Sequence, residues 1–260
     1  MLSHHEIELL KKITIDAGKK IINLDKNKVD VFSKLDNSPL TLADLESNKL
    51  ICNALNSKFE SISIVSEENE SKDLNKIFFL IDPLDGTKEF IEGSPDFTVN
   101  IALIEGTNPL FGFIYAPVYE KLYWNNSKYS FLSSKNKEKK IFCRGNLIDI
   151  DLEISKSHNN KKTGKFLDSF QKKTLNYTGS SLKLCKLAEG ISNIYPRYGT
   201  TMEWDIAAGH SILKKAGGEI FVSADEILSY RKENFKNSEF IAIGTKTKYK
   251  KVVDRFLNYT

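Results

Sequence analysis

The feature that most constrains this chain is an apolar run that ends in two closely spaced aspartates. The run Ile77-Phe78-Phe79-Leu80-Ile81 is followed at once by Asp82-Pro83-Leu84-Asp85-Gly86-Thr87. A short, uninterrupted apolar run is typical of a buried strand, and Pro and Gly directly after it favour a sharp turn. We therefore expect a buried strand whose carboxyl end presents both aspartates, with Thr87 as the N-cap of a following helix.

Acidic residues elsewhere in the chain decide how this turn is interpreted. Taken alone, it fits a surface turn about as well as a functional site. Glu67 follows a second strand-like run at residues 61–65, and Asp205 lies at the start of an amphipathic segment. If these elements converge with the aspartate turn, four carboxylates share one site. Such a site would repel a phosphate unless it held hard cations such as Mg²⁺, which prefer oxygen ligands.

Longer motifs extend this pattern over most of the chain. They occupy residues 33–39, 66–68, 82–91, 97–104, 179–183, 195–197 and 203–209. In content and order they resemble the inositol monophosphatase superfamily of Mg²⁺-dependent, lithium-sensitive phosphatases, and within it the CysQ-type branch of 3′(2′),5′-bisphosphate nucleotidases. Residues 82–87 and Trp204-Asp205 are specific to the superfamily, whereas residues 88–90 and 179–183 indicate the branch. One departure is Thr200, where the branch usually has Pro after the glycine.

The resemblance implies a fold, a cofactor and a set of ligands. The expected fold is α+β / α/β, the layered αβαβα arrangement of inositol monophosphatase-like sugar phosphatases. Two Mg²⁺ ions are implied, with a third left open. Glu67, Asp82 and the Leu84 carbonyl would hold one ion, and Asp82 would bridge to a second that Asp85 and Asp205 complete. Paired ions would admit the phosphate, activate a water and stabilise the leaving alkoxide.

By the same resemblance, catalysis is assigned to Asp44, Thr87 and Glu67. Asp44 would pair with Thr87 to orient and deprotonate the attacking water. The segment Thr41-Leu42-Ala43-Asp44 also has the spacing of a helix capping box, which spacing alone would favour. The two roles are not exclusive.

Substrate contacts form a larger predicted set. Amides of Gly86 and Thr87 would hold phosphate oxygens, and the turn at residues 179–183 offers donors suited to a second phosphate. That turn fits a helix N-cap followed by an exposed Lys183 equally well. Tyr195 is left open between ligand contact and packing, and His210 is expected to be a core residue. The full substrate-binding set is Glu67, Leu84, Asp85, Gly86, Thr87, Ser180, Ser181, Lys183, Arg197 and Asp205.

The activity that the resemblance implies is hydrolysis of the 3′-phosphate of adenosine 3′,5′-bisphosphate to give AMP, in the context of sulfate assimilation. The alternative on the same metal site is an inositol-phosphate or other sugar-phosphate phosphatase. A nucleotide-binding regulatory protein without turnover is the alternative of another class. The complete set of acidic ligands argues against it, because an inactive relative would be expected to lose at least one.

Composition limits the partners and the location. The formal net charge is only +4 over 260 residues, which does not favour nucleic acid as a partner. The small phosphorylated nucleotide that we expect as the partner is implied by the resemblance. No apolar run approaches the roughly 18 residues of a membrane span. Three widely separated cysteines, Cys52, Cys143 and Cys185, fit reduced thiols and a cytoplasmic protein. Peripheral attachment to the cytoplasmic face of the inner membrane and the oligomeric state are left open.

The order of elements predicts two parts. Helices are expected at residues 6–24 and from residue 41, followed by short consecutive strands at 98–104, 111–115, 121–124 and 130–132, with a loop at 133–140. Consecutive short strands favour antiparallel pairing. From about residue 151 strands and helices alternate, which is typical of α/β organisation. We therefore predict an α+β part at residues 1–150 that carries Glu67, Asp82, Asp85 and Thr87, and an α/β part at 151–260 that carries Asp205 and substrate contacts.

Overall fold

The structure is a computed structural model that describes residues 1–24, 31–33, 39–69, 74–135, 137–156, 159–245 and 249–260. The helices within these ranges are α1 (His4–Asn23), α2 (Leu42–Lys58), α3 (Thr87–Ile91), α4 (Lys161–Asp168), α5 (Leu182–Ala188), α6 (Glu203–Ala216) and α7 (Lys250–Leu257). The strands are β1 (Val31–Ser33), β2 (Pro39–Thr41), β3 (Ser63–Ser66), β4 (Ile77–Asp85), β5 (Thr98–Glu105), β6 (Asn108–Ala116), β7 (Lys121–Asn125), β8 (Ser130–Ser134), β9 (Lys137–Ile141), β10 (Asp151–Ser155), β11 (Thr174–Thr178), β12 (Ile194–Arg197), β13 (Thr201–Met202), β14 (Glu219–Phe221), β15 (Lys236–Asn237) and β16 (Phe240–Ile243).

A seven-stranded sheet forms one layer, in the order β3-β4-β5-β6-β7-β8-β9. Strand β3 pairs parallel with β4, and every later pair is antiparallel. This confirms the pairing expected of consecutive short strands. The predicted loop at residues 133–140 is wrong, because β8 continues to Ser134 and β9 forms the sheet edge. Edge strands often carry lysines, because these discourage pairing with other chains. Strand β9 is such a strand, and its sequence therefore lacks the apolar alternation by which strands are recognised.

Helices α1 and α2 cover the outer face of this sheet. Ser3 caps α1, and the Glu6 carboxylate accepts from both the amide and the hydroxyl of Ser3 at 2.7 Å. The Glu6 amide donates back to Ser3 Oγ at 3.3 Å, so the two residues form a capping box. The apolar stripe of α1, which includes Leu10 and Ile21, packs with residues of α2 and the sheet into one core cluster. The burial of that stripe fixes the helix on the sheet.

The second sheet is mixed and lies on the other side of α5 and α6. Its order is β11-β10-β12-β16-β14, with β10 parallel to β11 and β12, and β16 antiparallel to β12 and β14. Residues of α5 and α6 share a core cluster with both sheets. A further cluster joins α4 and α7 to the outer face of the second sheet. The layers therefore run helix, sheet, helix, sheet, helix, which confirms the predicted αβαβα fold.

Contact between α6 and the first sheet is unusually close. A Cβ atom built on Gly112 in β6 would lie 2.1 Å from the Ala208 carbonyl oxygen in α6. Real atoms do not approach so closely, so glycine is required at this position. The contact sets how far α6 stands from β4 and β5.

The division into residues 1–150 and 151–260 stays a prediction. The seven-stranded sheet falls in the first range and the five-stranded sheet in the second, but both contribute to one core cluster. Among the described residues, no helix has the length and apolar character that a membrane crossing requires. None of the three cysteines is in a disulfide.

Candidate active site

One cavity of about 270 Å³ gathers the predicted site residues. It opens between the end of β4, the start of α3, the turn before α5 and the start of α6. Every predicted site residue except Asp44 lines it: Glu67, Asp82, Leu84, Asp85, Gly86, Thr87, Ser180, Ser181, Lys183, Arg197 and Asp205. Residues separated by more than a hundred positions thus meet around one space.

The acidic wall is positioned by strand pairing. Strand β3 runs parallel to β4 with Ser66 opposite Ile81, and the Glu67 amide donates to the Ile81 carbonyl at 3.1 Å. Glu67 is therefore held beside Asp82. Between Asp82 and Asp85 the register with β5 shifts, as expected of an irregularity that re-aims side chains near a site.

Asp205 joins this wall from α6. It lies in the first turn of the helix, where its carboxylate accepts from the Met202 amide at 2.8 Å. Its side chain is thus used both as a helix cap and as part of the cavity lining.

Burial and mutual repulsion raise the pKa values of these carboxylates. Burial, followed by the charges of Glu67, Asp85 and Asp205, raises the pKa of Asp82 well above its usual value. Burial, followed by the charges of Asp85 and Glu67, does the same to the pKa of Asp205. Burial also raises the pKa of Asp85, although hydrogen bonds from Ser181 oppose the shift. Groups that disfavour one another's charge in this way require a compensating cation to be ionised together.

The donor set fits hard divalent cations. Carboxylate oxygens and the Leu84 carbonyl are the ligand types that Mg²⁺ takes. Within the described part of the chain, no three His, Cys, Asp or Glu side chains close around a single point as a metal-binding group. Mg²⁺ rarely uses such an all-protein cage, because it keeps waters and substrate oxygens beside one or two carboxylates. The arrangement of the acids along one cavity wall is compatible with this type of coordination.

Asp44 lies behind the cavity wall, in contact with Thr87. The Thr87 hydroxyl is 3.1 Å from Asp44 Oδ1 and 3.2 Å from the Leu84 carbonyl oxygen. Asp44 Oδ2 accepts from the amide and hydroxyl of Thr41 at 2.7 and 2.6 Å. The helix cap and the Thr87 contact therefore coexist, each using a different carboxylate oxygen.

The predicted N-cap at Thr87 is wrong by one position. Gly86 occupies the N-cap of α3 with a φ of 91° and no side-chain capping bond. This left-handed conformation favours glycine. Thr87 is the first residue of the helix, and its hydroxyl does not cap the helix N-terminus. The hydroxyl can therefore contact Asp44.

The opposite wall is built by the turn before α5. The amide and hydroxyl of Ser181 both lie 2.6 Å from Asp85 Oδ2, so Ser181 ties this turn to the acidic wall. Ser181 also stands at the N-cap of α5, but its side chain makes no capping bond. Of the two alternatives for this turn, the one with an exposed Lys183 is wrong, because the residue is buried and donates to the Ser180 carbonyl at 2.6 Å. Burial lowers the pKa of Lys183 to about 8.

Arg197 is the second cation on this wall. One of its terminal nitrogens donates to the Thr200 carbonyl at 2.9 Å. Its Nε is buried and has no hydrogen-bond partner among the residues that the structure describes. A buried donor without a partner is costly, and an anion in the cavity would supply one. Thr200 contributes only its backbone carbonyl to the bond with Arg197. A proline at this position would have the same carbonyl, so the departure from the usual Pro does not remove this hydrogen bond.

Sequence reasoning missed Thr98 and Asn100. The Asn100 amide donates to Ser181 Oγ at 2.8 Å and lies 3.3 Å from Asp85 Oδ2, while the Thr98 hydroxyl donates to Asn100 Oδ1 at 2.9 Å. Both residues stand in the otherwise apolar strand β5, two positions apart and hence on one face. That spacing of two polar residues was the available signal.

Other candidates have separate outcomes. His210 is fully buried and contacts Tyr230 and Glu219 at 2.9 and 2.6 Å, as expected of a core histidine. Tyr195 is buried, lines the cavity and packs edge-on against Phe240.

Comparison with known proteins agrees with this geometry. The profile of the inositol monophosphatase family matches residues 4–255. This chain belongs to the inositol monophosphatase family. Within the family it is similar to the 3′(2′),5′-bisphosphate nucleotidase CysQ of Escherichia coli strain K12, with 36% identity over 232 residues, 86% of this chain and 94% of that protein. It is also similar to the CysQ of Buchnera aphidicola subsp. Acyrthosiphon pisum, with 36% identity over 253 residues, 91% of this chain and 92% of that protein.

Solved structures of family members have the same fold. CysQ from Bacteroides thetaiotaomicron superimposes with a TM-score of 0.80 at 30% identity, over 94% of this chain and 99% of that chain. An inositol monophosphatase from Thermotoga maritima gives a TM-score of 0.81 at 22% identity, over 98% of each chain. At that lower identity the second likeness concerns the fold alone.

Proposed function

We propose that this protein is a Mg²⁺-dependent phosphomonoesterase that hydrolyses adenosine 3′,5′-bisphosphate to AMP and phosphate. The observation that carries the proposal is the pairing of two unlike walls in one cavity. The acidic wall suits cations that accept the phosphate to be cleaved, and the wall with Lys183 and Arg197 suits a second anionic group. A substrate with two phosphates uses both walls, whereas a monophosphate uses only one.

The relatives support the choice of substrate class. The Escherichia coli and Buchnera aphidicola relatives described above carry the name 3′(2′),5′-bisphosphate nucleotidase and match over most of their own length. The proposed ligand set for the cations is Glu67, Asp82, the Leu84 carbonyl, Asp85 and Asp205. Bound at this wall, Mg²⁺ would neutralise the carboxylates, polarise the phosphate and lower the pKa of a water.

The chain's own residues orient and deprotonate the nucleophile. The Thr87 hydroxyl can donate to Asp44, which leaves its oxygen to accept a hydrogen bond from a water at the cavity surface. As the water attacks phosphorus, it passes a proton to Thr87 Oγ and Thr87 passes its own proton to Asp44. The bond between phosphorus and the 3′-oxygen breaks, and that oxygen takes a proton from solvent to become the 3′-hydroxyl of AMP. The contact with Thr41 holds Asp44 in place, so the proton acceptor does not depend on substrate for its orientation.

The basic wall selects and orients the rest of the substrate. Lys183 and Arg197, whose Nε has no partner among the described residues, would bind the 5′-phosphate through charge-assisted hydrogen bonds. Holding that group fixes the 3′-phosphate against the acidic wall and supplies binding energy remote from the reacting bond. We extend the proposal to a cytoplasmic role in sulfate assimilation, where such a nucleotide would be consumed.

A phosphate-release screen tests the proposal. The purified protein is assayed with adenosine 3′,5′-bisphosphate, inositol 1-phosphate and p-nitrophenyl phosphate, each with and without Mg²⁺. We expect the highest kcat/KM for the bisphosphate, no release without Mg²⁺, and AMP as a product that is not cleaved further. Arg197→Met should lower kcat/KM for the bisphosphate by about tenfold or more and leave the p-nitrophenyl ester nearly unchanged.

Two outcomes would contradict the proposal. A higher kcat/KM for inositol 1-phosphate would make the protein a sugar-phosphate phosphatase on the same metal site. Tight binding of the bisphosphate without phosphate release would make it a nucleotide-binding protein without turnover.

A further inference from the structure

Asp96 is a buried carboxylate that the mechanism above does not use. It lies in the loop between α3 and β5 with 5% of its surface exposed. Its carboxylate accepts hydrogen bonds from three separate segments: the turn between β6 and β7, the end of β10, and the turn before α5. Since a carboxylate buried in this way must be well satisfied, these contacts are a built feature of the fold.

Two of the three contacts reach the wall that carries the substrate cations. Asp96 Oδ2 accepts from the Gly179 amide at 3.1 Å and lies 2.5 Å from Lys156 Nζ. Lys156 directly follows Ser155 at the end of β10, and Ser155 lines the cavity. The third contact stays within the first part of the chain, where the Tyr119 hydroxyl donates to Asp96 Oδ1 at 2.7 Å.

The backbone of this turn packs closely against the Asp96 loop. A Cβ atom on Gly179 would lie 2.8 Å from the Asp96 carbonyl oxygen and 2.9 Å from Asp96 Cβ. The turn therefore rests directly on the Asp96 loop, with no side chain between them. A hydrogen bond and a close backbone contact at the same point leave little freedom to shift.

Downstream of Gly179, the same turn is held a second time. Ser181 donates to Asp85 at the acidic wall, and the intervening Ser180 adopts a left-handed φ of 46°. A non-glycine residue in that region is held there by its surroundings. The turn that leads into Lys183 is thus pinned at both ends, by Asp96 and by Asp85.

We propose that Asp96 is a positioning residue that sets the distance between the acidic wall and the substrate-binding wall through Gly179 and Lys156. The inference rests on the proposed function, because it matters only for a substrate that spans both walls. Loss of the Asp96 charge would loosen the turn that carries Ser180, Ser181 and Lys183 while leaving the acidic residues in place. Binding of the second phosphate should then suffer more than cleavage of a simple ester.

The test compares Asp96→Asn with the wild-type protein on two substrates and one ligand. We expect KM for adenosine 3′,5′-bisphosphate and the Kd for AMP, measured calorimetrically with Mg²⁺, to rise by about tenfold. We expect kcat/KM for p-nitrophenyl phosphate to stay within about twofold, because that ester does not reach the second wall. Lys156→Met should likewise raise the KM for the bisphosphate and the Kd for AMP. The double variant should show less than the sum of the two single effects.

Matched controls separate positioning from general damage. Tyr119→Phe removes the one Asp96 contact that does not reach the substrate-binding wall, so its KM should stay near that of the wild type. Asp225→Asn removes an exposed carboxylate that pairs with Lys250 and should change nothing. If Asp96→Asn folds poorly, Lys156→Met carries the test, since Lys156 is partly exposed.

The outcomes distinguish this inference from the proposed function. A wild-type protein that releases no phosphate from the bisphosphate defeats the proposed function. An active wild type with unchanged KM and Kd in Asp96→Asn and Lys156→Met defeats the positioning role. Equal losses on both substrates, or an equal loss in Tyr119→Phe, would show that Asp96 only stabilises the fold.

Discussion

Replacing Asp82 by asparagine should make the metal-free protein more stable while lowering kcat by about a thousandfold. Asp82 is 1% exposed and faces the charges of Glu67, Asp85 and Asp205. Its Oδ1 accepts from the Leu84 amide at 3.1 Å. An asparagine carbonyl can accept the same bond, so Asp82→Asn removes the charge and keeps the turn.

The size of the effect follows from the crowding of charge. Two like charges about 6 Å apart repel by about 3 kcal/mol at an effective dielectric constant near 20. Because the raised pKa of Asp82 already relieves part of this repulsion by protonation, we expect a net gain of about 1–3 kcal/mol in the free energy of unfolding near neutral pH.

The dependence on pH has a definite sign. Between the usual carboxyl pKa of 3.8 and the raised folded value, the folded protein holds a proton on Asp82 that the unfolded chain has lost. Stability must therefore fall as pH rises through this window. The asparagine variant lacks this group, so its stability should fall less steeply.

Urea unfolding in the presence of EDTA measures these quantities, from about pH 5 to about pH 8. Added Mg²⁺ should stabilise the wild type but have a much smaller effect on Asp82→Asn, and kcat should fall by about a thousandfold. Asp225→Asn serves as the exposed control and should match the wild type throughout. A metal-free Asp82→Asn protein that is clearly less stable than the wild type would refute the reasoning, since Asp82 would then be holding a structural turn.

Two further predictions test other parts of the site. Gly112→Ala would place a methyl group 2.1 Å from the Ala208 carbonyl oxygen, so it should lower the free energy of urea unfolding by about 2–3 kcal/mol and lower kcat by displacing α6. The control Gly164→Ala has nothing within 4 Å of the new methyl group and should not destabilise the protein. Equal effects of the two variants would contradict the tight contact. Burial lowers the pKa of Lys183 to about 8, so KM for the bisphosphate should rise between about pH 7 and about pH 9 as the ammonium loses its proton. An equally steep rise of KM with pH in Lys183→Arg would contradict the assignment of this titration to Lys183.

The sequence predicted those parts of the site whose signals are local. The apolar run of β4 and the capping box around Asp44 are each encoded within about ten consecutive residues, and both are found in the structure. The sharp turn expected directly after the apolar run is wrong in position, because β4 continues through Pro83 to Asp85 and the chain turns at Gly86. The convergence of Asp205 with the other acids is a long-range fact. It was expected from the family resemblance rather than from any physical pattern in the residues.

What the sequence did not predict depends on tertiary contacts. Asp96 reads as an ordinary turn residue, because its partners Lys156 and Gly179 lie far along the chain. Strand β9 is rich in lysine and β12 contains Pro196, so neither has the pattern of a buried strand. The burial of Lys183 likewise follows from how α5 packs, which no local signal in the turn reveals.

The central claim is that carboxylates from β4, α6 and the end of β3 hold divalent cations in one cavity. The most direct test is a crystal structure grown with Mn²⁺ and AMP, in which anomalous scattering locates the metal. We predict anomalous peaks in contact with Asp82 and at least one more of Glu67, Asp85 and Asp205, with the nucleotide phosphate near Lys183 and Arg197. Ordered, ionised carboxylates with AMP bound and no anomalous peak in the cavity would contradict the account.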